Sequence, residues 1–195
     1  MFALSTAGAA GALPIALVGA VLVLLAWAVG LATRRGSRAA LWVALVTCLA
    51  VIGWVTIGLT IAGTPTGAGG VNLTPFQEIL RALDTGASTP WRNLVGNIVL
   101  FVPFGAVVAA LVRRGFFLRV LTATMLGAGL SAGIEAAQFL LGRVADVDDI
   151  ILNSAGALLG AVIAATVVGI RSGSSRARHY PGPGASSSVG RAADF

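Results

Sequence analysis

The chain has 195 residues, of which 57% are hydrophobic and only 10% charged, and its mean hydropathy is +0.94. That balance excludes an ordinary soluble domain, in which about a quarter of residues are charged, and points to a membrane protein. The net charge is +6, yet all 13 basic residues are arginines and most stand at the ends of apolar runs or in the C-terminal tail, so membrane orientation accounts for them and nucleic acid is not an expected partner.

Uncharged apolar runs cover residues 13–32, 39–62, 94–112 and 150–170, each close to the roughly 20 residues that cross a hydrocarbon core as a helix. A fifth, 120–141, carries Glu135. The expected architecture is all-α and polytopic: five transmembrane helices and a short interfacial helix in one domain over residues 1–170, then a disordered cytoplasmic tail over 171–195. The first charge, Arg34, follows the first run, so that run reads as a retained helix rather than a signal peptide. Loss of that helix would give four spans with the same loop assignments. Cys48 is the single cysteine and sits inside the second run, where packing is its expected role; no disulfide within the chain is possible.

The loop after the first run holds Arg34, Arg35 and Arg38, the loop after the third holds Arg113, Arg114 and Arg119, and the tail holds Arg171, Arg176, Arg178 and Arg191. Arg81, Arg92 and Arg143 fall on the other side, among Glu78, Asp84, Asp146, Asp148 and Asp149. The positive-inside rule then places the N-terminus outside and the C-terminus in the cytoplasm.

The longest connection begins with a Gly/Pro/Thr hinge and continues as "NLTPFQEILRALDTG". Thr74 reads as a helix N-cap, Pro75 as a first-turn proline, Gln77 as the capping-box partner and Gly86 as the stop. Phe76, Ile79, Leu80 and Leu83 share one face of that helix, which suits either the outer membrane interface or a cover for the bundle. The Ser/Gly/Pro/Arg-rich tail cannot bury enough apolar surface to fold alone. His179, the sole histidine, lies in it without ligand partners, so a histidine metal centre is not expected.

Polar residues interrupt the apolar runs near one end. Asn93 and Asn97 are four apart and Glu135 and Gln138 three apart, each pair on one helix face. Asp146, Asp149 and Asn153 follow an i, i+3, i+7 pattern if the last helix already includes Asp146. Counting inward from Gly142 and Trp91, Glu135 and Asn97 lie about 10 Å and 9 Å deep at 1.5 Å per residue. Ionisable groups at such depth normally face the bundle interior, so the candidate ligand-binding set is Asn93, Asn97, Glu135, Gln138, Arg143, Asp146, Asp149 and Asn153.

Each member has two readings. A buried carboxyl group such as Glu135, oriented by Gln138, suits general acid/base work; the same pair also suits an interhelical hydrogen-bond network. Arg143 offers a bidentate fork for a phosphate or carboxylate, or pairs with Asp146 or Glu135. Asp146, Asp148 and Asp149 have the oxygen chemistry for Mg²⁺ or Ca²⁺, but acidic residues at a helix start serve as caps, and capping is the expectation, with no metal and no cofactor. Gly129/Gly133 and Gly156/Gly160 are GxxxG steps that permit close helix approach, and Pro103 removes a backbone donor and can kink its helix.

In combination, "NLTPF" (72–76), "RNLVGNIVLFVPFG" (92–105) and "IEAAQFLLGRVADVDDIILNSAGALLG" (134–160) resemble the VanZ-like membrane proteins, over about residues 71–168. Matching positions are Asn72, Pro75, Phe76, Asn93, Asn97, Phe101, Pro103, Gly105, Glu135, Gln138, Arg143, Asp146, Asp149, Asn153, Gly156 and Gly160. Ala161 stands where an aromatic residue is common, and "AD" before "VDD" replaces a more usual aromatic-Asp pairing. The resemblance implies a bacterial cytoplasmic-membrane protein bearing on the cell envelope or on glycopeptide, especially teicoplanin, susceptibility. It brings no settled catalytic mechanism. Three readings stay open: an outward-facing polar cavity that recognises a lipid-linked envelope precursor or an amphiphilic glycopeptide, a membrane enzyme with Glu135 as acid/base, and a non-catalytic accessory subunit of an envelope complex. Transport is disfavoured because no paired repeat with interrupted helices is visible.

Overall fold

The computed structural model describes residues 36–58, 61, 70–77, 79–81 and 88–177. The first apolar run, the hinge, Leu83, Gly86 and the tail from residue 178 onward, with His179, lie outside the described residues.

Four long helices dominate. Helix α1 covers Gly36–Gly53 and widens into a π-helical turn, Trp54–Gly58; β1 is Val71–Asn72; α2 is Ser88–Leu111; α3 is Phe116–Leu140; β2 is Ala145–Asp146; α4 is Val147–Ala177. The segments Arg38–Gly58, Asn93–Leu111, Phe116–Leu140 and Val147–Ile170 are each long and apolar enough to cross a membrane. The chain is therefore a mainly helical, multi-pass membrane protein with four candidate spans among the described residues. The first of the five expected spans, residues 13–32, falls outside them. Helix α4 also continues to Ala177, beyond the expected boundary at residue 170.

The two short strands add to the expected all-α architecture. They pair in parallel, Val71 opposite Ala145 and Asn72 opposite Asp146, and the Ala145 N–H donates to Gly70 O at 2.9 Å. This two-residue ladder fastens the segment before residue 77 to the α3–α4 turn. It also corrects the helix start: Asp146 belongs to β2, and α4 begins at Val147.

The expected cap at Thr74 is corrected too. The Thr74 N–H donates to Asn72 Oδ1 at 3.2 Å, a local turn that competes with helix initiation. Residues 75 and 76 form a turn and helical residues begin at 77, with Leu80 N–H donating to Phe76 O at 2.9 Å. Phe76 has a φ of +67°, a left-handed conformation that costs a non-glycine residue on the order of 1 to 3 kcal/mol. Tertiary contacts must hold it there.

Helices α2 and α4 form the most extensive interface, and small residues explain why. A Cβ at Gly156 or Gly160 would overlap the carbonyl of Ile98 or Val102, and one at Gly105 would overlap the Ala157 backbone. In lipid, where apolar burial gives little drive for helix association, such close van der Waals packing holds helices together. Phe101 and Phe104 fill the core beside this seam, their rings 6.1 Å apart and edge to face, with Ile52, Ala123, Ala157 and Ala161 around them. Gly129 and Gly133 behave differently: both are exposed on α3 with open space where a Cβ would stand. Their GxxxG step packs no helix among the described residues, contrary to expectation. Pro103 lies inside an unbroken α2.

Candidate functional site

Helix α3 ends on glycine chemistry. Gly142 has a φ of +80°, its N–H donates to Phe139 O, and the Arg143 N–H donates to Gln138 O, both at 3.0 Å. This doubly bonded left-handed stop satisfies the terminal carbonyls. It turns the chain back so that β2 and the start of α4 run beside the last two turns of α3.

That reversal brings the polar residues together. The Asp146 N–H donates to Glu135 Oε2 at 2.9 Å, and Asp146 Oδ1 accepts the Asp148 N–H at 3.0 Å, capping α4 as expected of an acidic residue at a helix start. Asp146 Oδ2 also accepts from Asn72 Nδ2 at 3.1 Å, and the same amide donates to Gln77 Oε1 at 3.2 Å. Asp148, fully buried, accepts the Phe76 N–H on Oδ1 at 2.5 Å. A carboxylate of α4 thereby clamps the strained residue of a segment 72 positions earlier in the chain.

From α2, Asn97 Nδ2 donates to Asp149 Oδ1 at 2.5 Å. From α3, Gln138 Nε2 donates to Thr56 O in the π-helical turn of α1 at 3.0 Å; such turns disturb the i→i−4 ladder and often occur at functional positions. Deeper in the bundle, Asn153 Nδ2 donates to Ser131 Oγ at 2.9 Å, and Ser131 Oγ makes a long 3.5 Å contact to Asp149 O. Glu135, Gln138, Asp148, Asn153 and Ser131 are all buried.

Seven of the eight predicted residues are thus linked, directly or through one neighbour, around the α3–α4 turn. Arg143 is half-buried and enters through its backbone N–H. Asn93 lies one helical turn before Asn97 on α2. Ser131, Asp148, Asn72 and Thr56 belong to the cluster but are absent from the predicted set. The spacing Ser131, Glu135, Gln138 is i, i+4, i+7, one helix face, and that signal suffices to find Ser131.

The arrangement is rich in acceptors. All four acidic residues among the described ones, Glu135, Asp146, Asp148 and Asp149, lie at this end. The Asn93 Oδ1 and Asn153 Oδ1 atoms are buried without a hydrogen-bond partner, although buried polar groups are nearly always paired. Among the described residues no three His, Cys, Asp or Glu side chains are grouped to hold a metal ion, and the aspartates are instead engaged with backbone and amide donors.

Comparison with known proteins gives one match. No curated protein sequence and no solved structure matches the chain. The family model VanZ/LLP1 matches residues 38–168, a stretch running from the start of α1 through the spanning part of α4 and containing every residue of the polar cluster. The chain belongs to the VanZ/LLP1 family.

Proposed function

We propose that this protein recognises, at its polar end, the headgroup of an envelope lipid or amphiphilic glycopeptide, and that the headgroup presents hydrogen-bond donors. The observation that carries this reading is the pair of buried amide oxygens, Asn93 Oδ1 and Asn153 Oδ1, left without donors in a cluster whose other polar atoms are extensively bonded. A network that served packing alone would satisfy its own acceptors. Hydroxyl, amide or ammonium groups of a ligand supply what is missing, whereas a bare phosphate adds acceptors to a site already crowded with them. The polar end faces outward in this reading, as the arginine distribution suggests, and the chain resides in the bacterial cytoplasmic membrane. Through such recognition it affects glycopeptide, including teicoplanin, susceptibility.

One observation favours an accessory role without ligand. Asp146, Asp148 and Glu135 accept backbone N–H groups, so their side chains fasten β1, β2 and the start of α4. The two readings separate in a host whose teicoplanin susceptibility depends on the protein. Asn153→Leu combined with Ser131→Ala removes donor and acceptor together and is expected to leave membrane abundance intact while abolishing the susceptibility effect. Glu135→Gln and Arg143→Ala are expected to act in the same direction. Unchanged susceptibility at normal abundance in all three overturns recognition at this site.

A further inference from the structure

At the opposite end of α3 the chemistry reverses. An open pocket of about 440 Å³ lies between the start of α3 and the end of the spanning part of α4, lined by Arg114, Phe116, Arg119, Ala165, Thr166 and Gly169 among others, with no carboxylate among its described lining residues. Arg119 is held in place: Nε donates to Arg114 O at 2.7 Å and Nη1 to Ala109 O at 2.8 Å, which fixes a guanidinium at the pocket edge while Nη2 keeps its own donors. The Arg114 side chain is exposed, and among the described residues no hydrogen bond or ion pair engages its guanidinium. Arg113 stands beside it, also exposed, without lining the pocket.

Apart from Thr166, the other side chains that line the pocket are apolar. Phe116 and Ile170, both lining it, are 52% and 68% exposed, and both lie at the ends of candidate spans, the level where headgroups meet acyl chains. Cationic donors beside an apolar wall at that depth match an anionic amphiphile: planar guanidinium groups bind phosphate oxygens in pairs, and basic pockets between spanning helices seat anionic headgroups. Among the described residues the acidic side chains, Glu135, Asp146, Asp148 and Asp149, lie at the other end of the bundle.

We propose that this pocket binds the phosphodiester of an anionic membrane phospholipid, with Arg114 and Arg119 on the phosphate and an acyl chain against Phe116 and Ile170. The site is separate from the polar cluster and does not depend on the function proposed for it.

The test uses the full chain in phosphatidylcholine nanodiscs doped with phosphatidylglycerol, and reads retained phosphatidylglycerol by native mass spectrometry. Arg114→Gln is expected to weaken retention about fivefold, the scale of one arginine at an anionic surface, and Arg113→Gln by less than about twofold. Thr166→Phe, which fills the pocket without changing charge at a side chain bonded only to its own helix, is expected to reduce retention as well. Equal losses for the two arginine variants, or full retention by Thr166→Phe, would reduce the effect to general surface charge and overturn the proposal. Added inorganic phosphate is expected to leave retention unchanged; displacement by it would assign the pocket to free phosphate and overturn the lipid assignment.

Discussion

Glu135 and Asp146 are joined across the α3–α4 turn by a 2.9 Å hydrogen bond in which a buried carboxylate oxygen accepts a backbone N–H. The bond ties the last turns of one spanning helix to the strand and cap that start the next. A buried backbone N–H left unpaired costs about 1 to 3 kcal/mol, so the position tolerates another acceptor and penalises an apolar residue.

The expected outcome follows. Glu135→Gln keeps an oxygen for the Asp146 N–H and removes a carboxyl group crowded by those of Asp146 and Asp149. Its thermal midpoint in detergent is expected at or above that of the parent chain. Glu135→Ala is expected to lose about 1 to 3 kcal/mol, read as a lower midpoint and faster proteolysis in the turn. Equal stability of both variants would show that the bond contributes nothing to the fold. Because Glu135→Gln preserves the scaffold, any loss of susceptibility phenotype in that variant reports on recognition.

The two glycine steps give a second prediction. Gly160→Ala places a methyl group against the Val102 carbonyl, and overpacking of this kind typically costs about 1 to 3 kcal/mol, more where backbone must move. Gly129→Ala and Gly133→Ala meet open space and gain helix propensity, up to about 1 kcal/mol each. Thermal stability of the detergent-purified protein is expected to fall for the first and to hold or rise for the other two. A fall for Gly129→Ala matching that for Gly160→Ala would contradict the packing described above.

These two steps also show where sequence reasoning stops. Gly129/Gly133 and Gly156/Gly160 have the same spacing, and the pattern says that a helix can approach closely without saying which face a neighbour covers. Three of the four spans are legible because an uncharged run of bilayer length seldom serves any purpose but crossing a membrane, the fourth, α3, is legible despite Glu135, and Gly142 is legible as the end of α3. The polar residues are legible as a set because each contradicts its apolar surroundings. Their partners are not: a two-residue strand carries no periodicity, so the pairing of Asn72 with Asp146 leaves no trace, and the i, i+3, i+7 spacing draws Asp146 into the helix that it caps. The start of helix at residue 77 escapes the local rules for a related reason. Thr74 and Gln77 satisfy the capping pattern, but Asp148, 72 residues downstream of Phe76, sets the backbone there by accepting its N–H.

Orientation supplies the last prediction, because recognition of an envelope ligand requires the α3–α4 turn to face outward. Arg113 and Arg114 lie in the α2–α3 turn and Arg119 in the first turn of α3, whereas Arg143 alone lies in the α3–α4 turn, before Asp146 of β2 and Asp148 and Asp149 at the start of α4, and the arginine count rather than net charge sets topology. In a Cys48→Ser background, Val144→Cys and Gly115→Cys place single thiols at these two turns, at positions that are exposed, and Gly115 has open space for a side chain. In intact cells a membrane-impermeant maleimide is expected to label the first and to reach the second only after permeabilisation. The reverse pattern would put the polar cluster on the cytoplasmic side, where an extracellular glycopeptide cannot reach it, and would leave the arginine-lined pocket facing outward.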